Sequence, residues 1–201
     1  MLAYASRTGT RRNLEALRNA EWRLLVSAAG PLRHEGFPYA LDNGAWSAYQ
    51  QRRPFDEYLF LLALRKLGRN ADWVTLPDIV AGGQASLELS LRWMRRVLDE
   101  TALVLLAVQD GMSLSDVTGW VGPRVGLFVG GSTSWKEATM SQWGALGKTH
   151  KSWVHVGRVN SVRRINLCSS AGVTSFDGTS VTRFAKTLPR LDHARKQLAL
   201  L

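Results

Sequence analysis

The sequence predicts an α/β fold, a (β/α)8 barrel, formed as a single domain over residues 1–201. Three observations predict it. Short β-favouring runs alternate about eight times with segments of helical period, the order expected of repeated βα units. The run 103–108 is apolar throughout, as a parallel strand covered on both faces must be. Finally, run after run stops in a polar residue or a glycine. Leu41-Asp42-Asn43-Gly44, Leu76-Pro77-Asp78, Val108-Gln109-Asp110-Gly111, Val129-Gly130-Gly131, Val156-Gly157-Arg158 and Ser175-Phe176-Asp177-Gly178 all do so. Such a chain presents side chains on one rim, the face where barrels of this TIM-like kind carry their chemistry. The alternative is an open doubly wound sheet, which needs an early glycine-rich phosphate turn. Thr8-Gly9-Thr10 is a weak match to that.

Each element has a local reason. Residues 2–6 read as the first strand, and Thr10 or Asn13 can cap a helix running to about Asn19. A second strand covers 21–27. A loop with Gly30-Pro31 and Gly36-Phe37-Pro38 follows, and 39–42 is a short buried third strand. Residues 55–67 form an apolar helix started near Pro54 and stopped by Gly68. The fourth strand is 72–76. The helix 84–99 carries Leu87, Leu91, Met94 and Leu98 on one face. Strands are expected at 103–108, 124–129, 153–157 and 173–177. Helices are expected from Ser113 or Ser115, from Thr133, over 161–169, and as a basic closing segment over 189–201.

Composition bounds the function. With 45% hydrophobic and 21% charged residues, the chain can bury an ordinary core and is not disordered. No apolar run approaches the roughly 20 residues of a membrane span. The N-terminus lacks the order of a signal peptide, and one cysteine, Cys168, excludes an internal disulfide or a multi-cysteine zinc site. A cytoplasmic protein is expected, with no metal and no cofactor. The net charge of +10 suits a polyanionic partner such as DNA. The richness in Arg, Ala and Trp also fits a GC-biased genome.

On a barrel, Asp42, Asp78, Gln109, Gly130, Gly131, Arg158 and Asp177 would converge. Two carboxylates across a pocket suit displacement at an anomeric carbon, one attacking and one handling the proton. A further Asp and a Gln amide suit reading a base edge, and Trp46 could stack on that base. The bland alternatives are Asp42 or Asp177 as turn residues, Asp78 as a cap and Trp46 as core.

Leu41-Asp42-Asn43-Gly44-Ala45-Trp46 resembles the Asp-Ser-Gly-Gly-aromatic motif of tRNA-guanine transglycosylases. Val108-Gln109-Asp110-Gly111 resembles their Val-Gln-Gly-Gly, and residues 126–131 their Gly-Gly-Leu stretch. His155-Val156-Gly157-Arg158 with Ser175-Phe176-Asp177 resembles the run leading to their nucleophile. The likeness is strongest to the short DNA-modifying branch, the DpdA-like enzymes. It implies a pentosyltransferase that exchanges guanine in DNA for a 7-deazaguanine base, such as 7-cyano-7-deazaguanine. Asp177 would be the nucleophile, through a covalent deoxyribosyl-aspartate, and Asp42 the acid/base. Asp78, Gln109, Gly130, Gly131 and Trp46 would hold the base. The chain departs from the tRNA enzymes in having no Cys-rich zinc subdomain, which argues against tRNA and agrees with DNA. A partner protein or homo-oligomer would supply missing DNA-gripping surface in a bacterial host cell. An N-glycosylase or a non-catalytic nucleic-acid-binding subunit are the alternatives. Arg7, Arg11, Arg12, Arg158, Arg163, Arg164 and Arg183 follow strand ends or open helices and are the candidates for phosphate contacts.

Overall fold

In the computed structural model, which describes residues 1–6 and 10–197, the strands close into a (β/α)8 barrel. They are β1 (Leu2–Ser6), β2 (Arg23–Ser27), β3 (Tyr39–Asp42), β4 (Val74–Thr75), β5 (Val104–Val108), β6 (Val125–Val129), β7 (Val154–Val156) and β8 (Ser175–Gly178). Each strand pairs in parallel with the next, and β8 closes on β1 with Asp177 opposite Tyr4. Parallel neighbours need a crossover between them, which helical segments supply except between β2 and β3, where the loop 28–38 does so.

The helices are α1 (Arg11–Asn19), α2 (Ala45–Gln50), α3 (Glu57–Leu67), α4 (Gln84–Leu98), α5 (Leu114–Val117), α6 (Thr133–Thr149), α7 (Val162–Ser170), α8 (Ser180–Arg183) and α9 (Leu188–Gln197). Their starts follow capping chemistry. The Asp56 carboxylate accepts from Leu59 N at 2.9 Å, so α3 opens two residues later than Phe55. Ser113 and Asp116 form a reciprocal capping box on α5. Ser132 and Ser161 cap α6 and α7. The sequence reading missed α2 because Asn43-Gly44 reads as a plain turn. Gly44 takes φ 86°, and the chain turns straight from β3 into a helix. It also missed α8, a single turn. The expected closing helix is α9 to Gln197, and residues 198–201 lie outside the described ones.

The strand period of two sorts the side chains. Leu41, Val74, Leu76, Val104, Leu106, Val108, Leu127, Val129, Val154, Val156 and Phe176 point outward into the layer packed under the helices. Tyr4, Ala40, Trp73 and Leu105 point inward, joined by Leu2, Leu25, Leu103, Phe128 and Trp153. Burial of these two layers, at roughly 25 cal/mol per Å² of apolar surface, is the main force closing the barrel. At the N-terminal end the interior turns polar: Tyr4 OH and Arg23 Nη1 both donate to Asp72, at 2.8 and 2.5 Å. That pairing satisfies groups that burial would otherwise penalise.

Among the described residues, no helix is long and apolar enough to cross a membrane, and no cluster of His, Cys, Asp and Glu is arranged to hold a metal ion.

Candidate active site

Continuing the same alternation to the C-terminal ends of the strands gives the layer above the aromatic rings. It consists of Ser6, Ser27, Asp42, Thr75, Ala107, Gly157 and Asp177. These are small or polar, so they leave room where Tyr4, Trp73, Phe128 and His155 below fill the bore. Gly157 shows why size matters here: a Cβ on it would come 2.9 Å from the Phe128 ring and 3.4 Å from Asp177 Oδ1.

Asp177 is the most constrained of these groups. Its Oδ1 accepts from His155 Nε2 at 3.1 Å and from the Arg158 backbone N–H at 3.2 Å. The His155 Nδ1 lies 2.9 Å from Ser175 Oγ, which in turn accepts the Trp153 indole N–H at 2.7 Å. The indole can only donate and the carboxylate can only accept, so the protons have one consistent order. Trp153 donates to Ser175, Ser175 to Nδ1, and Nε2–H to Asp177. Burial holds the His155 pKa below the ordinary value despite the Asp177 charge beside it, which keeps the ring neutral in that tautomer. The other carboxylate oxygen, Oδ2, accepts no hydrogen bond from the described residues.

Asp42 and Asp78 are both raised. Burial, with the charges of Asp78 and Asp177 adding to it, raises Asp42 to about 6, against the hydrogen bonds from Gly44 N and Ser27 that favour its anion. Burial likewise raises Asp78 to about 6, partly offset by the Asn43 amide. Asn43 sits between the two loops. Its Nδ2 donates to Asp78 Oδ1 at 2.7 Å and to Leu76 O at 2.6 Å, and its Oδ1 accepts from Ala45 N.

The remaining expected residues divide. Gln109 is buried, but its amide serves the loop after β4. Oε1 accepts from Ala81 N at 2.7 Å and Nε2 donates to Ile79 O at 2.9 Å. Gly130 and Gly131 shape the turn from β6 into α6. Gly131 takes φ 70°, and Asp110 accepts from Ser132 N and Oγ across that turn. Trp46 is 38% exposed on α2, stacked on Tyr49, with the Arg158 guanidinium 4.5 Å from its ring centroid. Arg158 also donates through Nη2 to Gly131 O.

Most of the other arginines lie away from this pocket. Arg163 and Arg164 both pair with Glu137, joining α6 to α7 at 2.8 and 3.0 Å. Arg11 pairs with Glu15 on its own helix, while Arg12 and Arg183 are exposed. Arg7 lies outside the described residues.

Sequence reasoning missed four contributors: Thr75, Lys136, His155 and Ser175. Counting back by two from Asp177 and Gly157 would have found Ser175 and His155 on the inward face. Lys136 carried no such signal. It opens α6, is buried, and donates to Gly157 O at 2.5 Å. Burial, then the Arg158 charge, lowers it to about 8 against the pull of Asp177.

The chain matches no protein-family model and no curated protein. It does match solved structures. One, described as "Native KDPGal structure", superposes with a TM-score of 0.62 at 12% identity, covering 100% of this chain and 96% of that one. The expected tRNA-guanine transglycosylase kinship is corrected by this result, since a KDPGal structure stands where such an enzyme was expected. With it go the pentosyltransferase activity, the guanine exchange in DNA and the 7-deazaguanine substrate, together with the glycosylase and non-catalytic alternatives. The physical reason lies in the motifs. Asp-Asn-Gly, Gln-Asp-Gly and Gly-Gly are turn sequences that any barrel uses at its strand-to-helix corners, and Gly44, Gly111 and Gly131 all take positive φ there. What the likeness shows is the barrel fold.

Proposed function

We propose that the pocket above the barrel's aromatic layer is an active site for acid–base chemistry on a small polar substrate, in the manner of a lyase or isomerase. Asp177 acts as the base through Oδ2, and Asp42 with Asp78 supplies and recovers the proton. One observation carries this reading: neighbouring carboxyls stand in opposed environments. Asp177 is held by two donors, whereas burial raises Asp42 and Asp78 to about 6, with the charges of Asp78 and Asp177 adding to it at Asp42. Carboxyl groups whose surroundings separate their proton affinities are how one site provides both a base and an acid. A positioned group of this kind is worth roughly 10²–10⁴ in rate.

The inward positions of the eight strands include no lysine, and the buried Lys136 ammonium from α6 is engaged by Gly157 O. That favours proton transfer by the carboxyls themselves. The test is solvent exchange. The protein is incubated in deuterated water with hydroxy- and keto-acids and their phosphates, and proton NMR follows loss of the hydrogens next to the carbonyl. Exchange by the wild type, lost in Asp177→Asn, supports the reading. Absence of exchange across the panel, or an unchanged rate in Asp177→Asn, overturns it.

A second reading concerns the partner. DNA as a ligand of the rim is supported by the +10 charge and by the exposed Trp46, which stacks on Tyr49 and carries the Arg158 guanidinium over its ring. Stacking platforms beside cations are what single strands use. Fluorescence anisotropy of a labelled single-stranded oligonucleotide tests it. Binding should weaken steeply with salt and in Trp46→Ala, and salt-independent binding counts against it.

A further inference from the structure

We infer that Arg158 is an anion clamp at the mouth of the pocket, and that the ligand it takes is a small phosphate monoester whose other end carries an oxygen for Thr75. The inference rests on the acid–base reading for the chemistry between those two ends, though its own evidence is separate.

Arg158 leaves β7 in the left-handed region, at φ 60°. A residue with a side chain is held there only by its surroundings, because the conformation is disfavoured for L residues. The conformation turns its backbone N–H onto Asp177 Oδ1 and sends its side chain across the mouth. The guanidinium reaches the Trp46 ring beyond β3, the strand facing β7 across the ring of eight. It therefore arches over the space between the carboxyls.

The Arg158 guanidinium makes no salt bridge among the described residues, although its charge acts on Asp110. The guanidinium is a planar fork of N–H donors, and among the described residues only Nη2 makes a hydrogen bond, to Gly131 O. No carboxylate lies within salt-bridge distance of it among those residues. The Lys136 ammonium adds a second cation on the same side, bound to Gly157 O next to Arg158 in the chain. Two cations on one side of the mouth, neither in a salt bridge among the described residues, suit a doubly charged phosphate better than a carboxylate, and the fork matches phosphate oxygens bidentately.

The other end is set by Thr75. Its side chain faces inward by the alternation from Trp73, and the Leu41–Val74 pairing sets it beside Asp42. Thr75 is 3% exposed, and its Oγ1 has no hydrogen-bond partner. A buried hydroxyl without a partner is destabilising, and a ligand oxygen would relieve that. Cation at the mouth, hydroxyl at the floor and carboxyls between describe a phosphorylated hydroxy compound.

The phosphate could also come from a nucleic-acid strand, as a diester. Calorimetry on the full chain near neutral pH separates the two sources, using inorganic phosphate, glycerol phosphate, dimethyl phosphate and a dinucleotide. Glycerol phosphate should bind at least about tenfold more tightly than dimethyl phosphate or the dinucleotide. The reverse order overturns the monoester and assigns the clamp to a strand. Arg158→Gln should weaken glycerol phosphate and inorganic phosphate alike, by about tenfold or more. Thr75→Val should weaken glycerol phosphate and leave inorganic phosphate unchanged. Equal binding in Arg158→Gln and wild type overturns the clamp. Calorimetry reads binding without turnover, so a failure of the acid–base reading in the solvent-exchange assay leaves this result standing.

Discussion

His155 and Asp177 face each other inside the barrel, Nε2 3.1 Å from Oδ1, with the imidazole fully buried. The pair is the inner end of a chain of donors that begins at Trp153, on the N-terminal side of the same strand. Asp177 is therefore oriented from below by the barrel's own interior and from above by the Arg158 backbone. A carboxylate fixed from both directions leaves only its second oxygen for a substrate.

Replacing His155 with Phe keeps the volume of a ring and removes both hydrogen bonds. Ser175 and Asp177 are then left partly unsatisfied in a buried setting, at about 2–3 kcal/mol. Chemical denaturation should show that loss. The loss should also depend on pH. The folded pKa of His155 lies below its unfolded value, so its stabilising contribution is complete above about pH 6.5 and disappears as pH falls through the folded value. Wild type and variant should converge in stability toward acid.

Asp42 titrates with the opposite sign. Its folded value of about 6 stands above the unfolded one, so its stabilising contribution is present below about pH 4 and lost as pH rises through 6. Asp42→Asn removes a charge that the folded site resists. It should raise stability by about 2 kcal/mol near pH 8 and have little effect near pH 4. Thermal melts of both proteins at the two pH values check this, and a gain at low pH instead would contradict it.

Gly157→Ala tests the packing of the pocket floor. The new methyl would press on the Phe128 ring at 2.9 Å and on Asp177 Oδ1 at 3.4 Å. A cost of about 1–3 kcal/mol is expected, with circular dichroism showing the helices retained. Exchange activity should fall as well, because the Asp177 carboxylate must shift.

Gln109→Met tests the loop after β4. The amide bonds to Ala81 N and Ile79 O are lost while the side-chain length is kept. Hydrogen exchange at the Ala81 amide should accelerate by about tenfold or more, with the amides of β5 unaffected. Unchanged protection at Ala81 would mean that the loop is held by something other than Gln109.

The sequence by itself determined the barrel. Each strand is short and local, its apolar outward face is written at period two, and four helices carry their own caps, at Asp56, Ser113, Ser132 and Ser161. Those signals act between near neighbours, so they can be read without the fold. The sequence also determined that Asp42, Asp78 and Asp177 end strands and so share a rim. What each of them does there was decided by the tertiary structure. Whether Asp177 meets His155, whether Gln109 turns to a ligand or to the Ile79–Ala81 backbone, and whether Arg158 crosses to Trp46 all depend on groups some twenty to over a hundred residues apart in the chain. Proton affinity depends on them too, since burial raises Asp42 and Asp78, and the charges of Asp78 and Asp177 add to it at Asp42. Turn motifs such as Asp-Asn-Gly and Gly-Gly specify backbone conformation, and a backbone corner is common to barrels of every chemistry. The activity is set by the side chains that closure of the ring brings face to face.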